Sequence, residues 1–526
     1  MSAIIHQNDK RSGITYAYES ISYWDKEKKQ SRCRRKLIGR VDKEGNIIPT
    51  DGRGHRRKKY LSKERITSRS FYGATYLFDE IGKKLGLTED LKKCFGDRYK
   101  QILSIAYYLI LEDSSPLYRF EKWGLLHKHP YGEDIPSQRS SELFASITED
   151  NKNQFLKLWG KHKDKDEFWA YDTTSISSYS EQLRQIEYGH NKESDPLPQL
   201  NLAIVFGELS NLPFYYRKLS GNIPDSKTLS NLLADISRFG FNKVKFVMDR
   251  GFFSKENISG LYEKHLKFLI SAKMSLSLIQ KELETIYDNF CSYEHYIPEY
   301  ELYTHTIRTI WNYKVDRPYK KDSIKRAKRV YIHYYYNIEK SAYDKKALDK
   351  KLIKMREELL EDRAVKGHQS FYDRYFIVKK TPKRGVCIEV KTEEVQRTKR
   401  YYGFFVLLSN EKMDAKKALE LYRNKDVVEK AFGNLKERLN MRRLLVSSEQ
   451  SLEGKLFVQF IALIYISYIK KQMQLNGLYK QYSLGTLFDK IDIIECFEDS
   501  KKKLRVGEVL QKQKDIYKAL GVDFPR

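Results

Sequence analysis

The chain has 526 residues, a formal net charge of +28 and 40% hydrophobic residues. That length calls for three or more structural units, and the apolar share is enough for a sizeable core, which excludes a disordered chain. With a pI near 9.5 the chain suits a polyanion, although a basic balance by itself leaves simple solubility or attraction to a membrane surface open. If phosphates are what it meets, affinity would fall with salt at a log–log slope of about −0.9 per phosphate neutralised.

The cysteines (Cys33, Cys94, Cys291, Cys387, Cys496) are scattered, with no C-x2-C pair. This argues against a zinc site and predicts reduced thiols in a cytosol. No charged-then-apolar signal opens the chain. The longest apolar stretch, Leu456 to Ile469, is interrupted by Gln459 and Ser467 and is too short to span a bilayer. It predicts a buried helix packed behind the helix that carries Glu429.

In chain order, residues 1–50 alternate in Thr15-Tyr16-Ala17-Tyr18-Glu19 and Arg34-Arg35-Lys36-Leu37-Ile38-Gly39-Arg40. With the Gly45-Asn46 turn they predict a small β-module. Residues 51–165 read as a basic, mainly helical region. Its opening run, Arg53 to Arg69 with Arg56, Arg57, Lys58 and Lys59, is a flexible linker and a phosphate clamp. From Ser70 to Lys163 the pattern is helical, with Ile102, Ile105, Ala106, Leu109 and Ile110 as a core stripe. His127 and His129 stand two apart, off any common helix face, and read as a loop pair rather than ligands. No helix-turn-helix signature marks a recognition helix.

Strands are then predicted at 168–172, 200–207, 212–219, 243–249 and 266–272. Phe168, Trp169, Ala170 and Tyr171 form a buried run that Asp172 closes. Val244, Phe246, Val247 and Met248 form another that Asp249 closes, followed by a turn at Arg250-Gly251 and by Ser254 as the cap of the next helix. Asn211-Leu212-Pro213 joins two adjacent strands. Pro224, Asp225 and Ser226 start a helix that runs to Arg238 and stops at Gly240, so Asp225 reads as a cap rather than a ligand.

Beyond residue 280, Val330 to Tyr336 and Tyr375 to Val378 read as strands and Lys340 to Arg363 as a charged helix. Trp311, among Arg317, Lys320, Lys321, Lys325 and Arg326, reads as a core residue before a base-stacking one. The strand Tyr402 to Leu408 leads into LYRNKDVVEKAFGNLKERL, where Tyr422, Lys425, Glu429 and Lys436 are spaced to share one helix face. Alone, that stripe reads first as a solvated face with ion pairs. Two strand-closing aspartates upstream change its meaning. Three carboxylates from separate elements are about what two Mg²⁺ or Mn²⁺ ions, roughly 3.5–4 Å apart, require to activate and stabilise the oxygens of a phosphodiester in line.

With these motifs in order, the sequence resembles the DDE transposases of bacterial insertion sequences, in the insertion-sequence-four superfamily with its Y-x2-R-x3-E-x6-K signature. Tyr422, Glu429 and Lys436 match it, Lys425 stands where the family has arginine, and Arg423 is placed to share the role of that position. GNIPDSKTL and DRGFFS look like segments of the same group.

The resemblance implies an α/β fold with a ribonuclease-H-like catalytic core, a mixed sheet flanked by helices. The core would occupy 166–280 and 401–475, interrupted by a β-containing insertion domain at 281–400. It would follow the N-terminal β-module and the helical DNA-binding region, and precede a tail at 476–526 suited to self-association. The resemblance further implies that Asp172, Asp249 and Glu429 hold two Mg²⁺ (or Mn²⁺) ions and that Tyr422, Lys425 and Lys436 contact DNA. The partners would be double-stranded DNA (terminal inverted repeats and target) and a second copy, as a homodimer on paired ends, in a bacterial cytoplasm at the nucleoid, with no membrane. A nuclease that cuts without joining and a non-catalytic regulator derived from a transposase are the alternatives.

Overall fold

The computed structural model describes residues 2–10, 12–49, 68–113, 115–162, 166–180, 183–192, 195–241, 244–317, 322–381, 385–439, 448–498 and 503–526. The basic residues Arg56, Arg57, Lys58 and Lys59 fall outside them. The chain divides into two compact units, one formed by Met1–Tyr72, Ile493–Val509 and Pro525–Arg526, the other by Gly73–Asp492 and Leu510–Phe524.

The first unit contains two small antiparallel sheets. Ser2–Asn8, Thr15–Asp25, Gln30–Val41 and Ile47–Pro49 form a four-stranded meander in chain order. The turn before its last strand is fixed by Gly45 at φ 87° and by Asp42, whose Oδ1 accepts the backbone N–H groups of Glu44 and Asn46. Ser68–Phe71, Glu495–Glu498 and Leu504–Val506 form the second sheet.

The second unit is mixed α/β. Helices Gly73–Lys84, Leu87–Phe95, Tyr99–Leu111, Phe120–Leu126, Ser137–Ser146 and Glu149–Trp159 precede its sheet. Ile102, Ile105, Ala106 and Ile110 are almost wholly buried and Leu109 is 6% exposed, as their stripe predicts. His127 and His129 are also buried: His127 stacks on Trp123 and bonds Asp492, and His129 bonds Ser104. Their role is structural.

Nine strands build one sheet: β1 (Phe168–Ser177), β2 (Gln199–Gly207), β3 (Pro213–Ser220), β4 (Lys245–Met248), β5 (Lys267–Ala272), β6 (Tyr296–Ile297), β7 (Leu302–Arg317), β8 (Asp322–Tyr336) and β9 (Phe404–Ser409). The spatial order is β6-β7-β8-β9-β5-β4-β1-β2-β3. Among the described residues, β1 and β5 each run parallel to β4 in the centre of this sheet, and its other pairs are antiparallel. The parallel pairs need helical crossovers. Asp225–Phe239, ended by Gly240 at φ 71°, supplies one, and Lys255–Glu263, capped by Ser254 Oγ, supplies the next. Strands β1 and β2 are buried along nearly their whole length, as strands covered on both faces must be.

Two expectations change here. The hairpin β7–β8 is not part of a separate inserted unit: the inner end of β8 pairs with β9 through Tyr331–Tyr336 and extends the central sheet. The fully buried Val330, Ile332, Tyr334 and Tyr335 demand that cover, whereas Lys325 to Arg329 remain solvated. Trp311 is core, 6% exposed, with its ring edge-on to Phe253. What stands apart is Ile338–Leu360 with the strand pair Phe376–Thr381 and Gly385–Val390, built on its own cluster of Leu348, Leu352, Met355, Tyr372, Tyr375 and Ile388. The helix Glu449–Leu475 is apolar enough to cross a membrane by length and composition, but 89% of that window is buried. It packs mainly on Ser137–Ser146 and Tyr99–Leu111 rather than directly behind Glu429.

Candidate active site

Strand register brings the first two acids together. β1 pairs in parallel with β4 only as far as Tyr171 opposite Met248, so Asp172 and Asp249 are the next residues on neighbouring strands. Strand β1 does not end at Asp172, as the apolar run alone suggests. It continues through Thr173, Thr174 and Ile176, β-branched residues that keep pairing with β2. Asp172 is thus a mid-strand residue at the point where its other neighbour stops, and there its side chain meets an open edge.

The third acid comes from the chain after β9. The predicted single helix is interrupted: Ala415–Asn424 ends at Lys425, Asp426–Gly433 follows, and Asn434–Arg438 is a π-turn. Lys425 keeps helical angles, φ −60° and ψ −16°, so Tyr422, Lys425 and Glu429 still converge on one side. Lys436 lies in the π-turn, where each residue advances less around the axis, and the predicted stripe breaks there.

One oxygen each of Asp172, Asp249 and Glu429 lie within 4.8 Å of one another. Asp172 is the most enclosed, and its burial raises its carboxyl pKa above the usual range. Tyr422 OH donates to Asp249 Oδ1 at 2.5 Å, and Lys425 Nζ lies 3.1 Å from Asp249 Oδ2 and 3.3 Å from Glu429 Oε1. Burial and the Asp249 charge raise the Tyr422 phenol far above its ordinary value, which keeps it a donor. Burial disfavours the Lys425 ammonium, but Asp249 and Glu429 outweigh this and raise its pKa. Tyr422 and Lys425 therefore direct their polar atoms at the carboxylates. Arg423 does not join them, because its guanidinium sits 4.3 Å over the Tyr300 ring.

Two further residues join the site. Asp225 does not cap its helix, because the cap position falls on Pro224. Its Oδ1 accepts the Thr173 hydroxyl at 2.5 Å, while the Thr173 backbone N–H donates to Asp172 Oδ1 at 2.7 Å. Lys192 Nζ bonds the Thr173 carbonyl at 2.6 Å and lies 3.3 Å from both Asp172 Oδ1 and Asp225 Oδ2. A side chain on Gly251 would place its Cβ 3.3 Å from Asp225 Oδ2, which gives the glycine after Arg250 a packing reason. The segment containing Asp225 stood out in the sequence, but its proline-led helix start favoured the cap. Lys192 lies in an irregular connection and carried no signal.

The donors fit a divalent cation. Four carboxylates (Asp172, Asp225, Asp249, Glu429) face two ammonium groups (Lys192, Lys425), leaving two formal negative charges. Hard oxygen ligands at about 2.1 Å from one Mg²⁺ span roughly 4 Å across it, and the three oxygens here all lie within 4.8 Å of one another. Acids packed this close and only partly neutralised can hold a divalent cation.

The residues 163–465, more than half of the chain, match the family model described as the transposase DDE domain. No curated protein matches. Among solved structures, the piggyBac transposase synaptic complex with hairpin DNA, determined by cryo-EM, aligns at a TM-score of 0.34 and 10% identity over 79% of this chain and 75% of that one. That likeness is too distant to bear on the details above. The family match covers all three clustered acids, Lys192 and Asp225, and with it the chain belongs to the transposase DDE domain family.

Proposed function

We propose that this protein is a cut-and-paste transposase of the insertion-sequence-four superfamily, with a ribonuclease-H-like core, that cleaves DNA at the inverted-repeat ends of its element and joins the freed 3′-hydroxyls to target DNA. The observation that carries the reading is the convergence of Asp172, Asp249 and Glu429 from three separate elements, inside the span of the family match.

Mg²⁺ or Mn²⁺, as a pair, would supply activation of the attacking oxygen and stabilisation of the leaving one. The chain's own residues do the rest. Asp172 provides a ligand from β1, Asp249 one from the residue just after β4, and Glu429 one from the helix Asp426–Gly433. Tyr422 and Lys425 hold Asp249 in place, and Lys192 offers an ammonium to a scissile phosphate at the same edge. Duplex DNA, as paired ends held by a homodimer and as target, is the partner, in the bacterial cytoplasm.

The test is excision in cells, with the gene's native flanks bracketing a marker and the protein supplied separately. Excision by wild type and none by Glu429→Ala supports the reading. Excision by both removes Glu429 from the site, and excision by neither favours a DNA-binding remnant. Cutting without joined products favours a nuclease.

A further inference from the structure

Within the N-terminal meander, two strands outrun their neighbours. Ser2–Asn8 pairs with the second strand only from Thr15 to Ile21, and Ile47–Pro49 pairs with the third only from Gly39 to Val41. Beyond those limits the second and third strands continue as a bare two-stranded ribbon, pairing from Ser22 opposite Cys33 to Asp25 opposite Gln30. Residues 21–24 and 30–36 are exposed on both faces. Tyr23 is 48% and Trp24 61% exposed. A bare ribbon of this kind is marginal in water by itself, and it leaves one large aromatic open on each face, available to a partner that covers both.

The charges say what binds. Between Tyr18 and Lys36 stand Lys26, Lys28, Lys29, Arg32, Arg34, Arg35 and Lys36 against Glu19, Asp25 and Glu27. Arg32 is held by Asp25 at 3.3 Å, but Arg34 and Arg35 have no carboxylate within ion-pair distance among the described residues. Register puts Arg34 beside Ile21 and Arg35 beside Ser20, hence on opposite faces of the ribbon. A flat anionic surface meets one face only. A groove walled by phosphates on both sides meets both, and the major groove of B-DNA, about 12 Å wide and about 8.5 Å deep, admits a two-stranded ribbon. The bare section, four residues at about 3.3 Å each, is roughly as long as that groove is wide.

We propose that the ribbon Ile21–Lys36 enters the major groove of duplex DNA, with Arg34 and Tyr23 on the face towards one phosphate wall and Arg35 and Trp24 on the face towards the other. The proposal rests on the DNA-acting reading above and adds a binding element made of residues other than those of the carboxylate site.

The test uses the full chain, with fluorescence anisotropy on a duplex of the element's own end and on a scrambled duplex, across salt concentrations. Arg34→Ala/Arg35→Ala should weaken binding to both by roughly tenfold at low salt and reduce the log–log salt slope by about 1.8, two phosphates' worth. Arg34→Lys/Arg35→Lys should keep the slope, which separates lost contacts from a lost fold. Trp24→Ala should weaken binding to both duplexes while keeping the salt slope, because it removes an uncharged contact on one ribbon face. Wild-type binding with an unchanged slope in the alanine pair overturns the ribbon's role while leaving the transposase reading intact. Normal DNA binding with loss of self-association in sedimentation assigns the ribbon to a second copy and overturns it too. Wild type that binds neither duplex overturns both readings.

Discussion

Replacing Tyr422 by phenylalanine removes one oxygen from the site and little else. The ring stays packed against the apolar cluster that includes Val247, Leu269 and Ala418, so no cavity opens. What is lost is the 2.5 Å hydrogen bond to Asp249 Oδ1, and a bond to an ionised group contributes about 1.5–3 kcal/mol. Its partner is a metal-binding carboxylate by our reading, and losing such an orienting contact costs about 10–100-fold in metal affinity. Lys425 still holds the other oxygen of Asp249 at 3.1 Å. The expected loss therefore lies at the lower end, about tenfold, or about 1.4 kcal/mol. Calorimetric titration of the full chain with Mn²⁺ alone measures it, and the melting temperature is recorded in parallel. An affinity within about twofold of wild type, with Asp249→Asn abolishing binding, would refute the orienting role.

Lys192→Ala should act in the opposite direction. It removes an ammonium 3.3 Å from Asp172 and Asp225, and Mn²⁺ should bind tighter by roughly threefold or more once that competing charge is gone; weaker binding would make Lys192 a structural tie. Lys425→Arg should keep cutting within about threefold, because a guanidinium fork can span Asp249 and Glu429, whereas Lys425→Ala should cost at least about tenfold; equal loss in both would mean the ammonium itself is needed. His333 in β8 is wholly buried, with Nδ1 2.9 Å from Thr306 Oγ1, and burial pulls its pKa from 6.5 down to about 4. The neutral ring contributes stability that is fully present above pH 6.5 and lost as pH falls towards 4, about 3 kcal/mol in all. Urea midpoints at pH 7.5 and 5 should converge in His333→Gln, and an undiminished pH dependence in that variant would assign the loss to other groups.

Several elements were legible because their signals are local. Ser254 as a cap and Gly240 as a helix stop depend on neighbours a few residues away, and both stand where the sequence puts them. The apolar runs that mark β2, β3, β4 and β5 are local too. Less legible were features set by distant partners. The length of β1 depends on β2, which keeps pairing after β4 has stopped. The hairpin β7–β8 looks like an insertion in sequence because nothing nearby shows that β9, some seventy residues later, will pair with it.

The carboxylate site divides in the same way. Sequence pattern was enough to single out Asp172, Asp249, Glu429 and Tyr422 as candidates, because an acid after an apolar run and residues three and four apart on a helix are local signals, and the fold brings one oxygen of each acid within 4.8 Å of the others. Only the tertiary structure decided that Asp225 turns from its helix to Thr173, that Lys192 reaches Asp172 from an irregular connection, and that Arg423 leaves the site for Tyr300. Periodicity fixes which side of its own element a side chain occupies, while the identity of its partner depends on which strands and helices the whole core brings alongside.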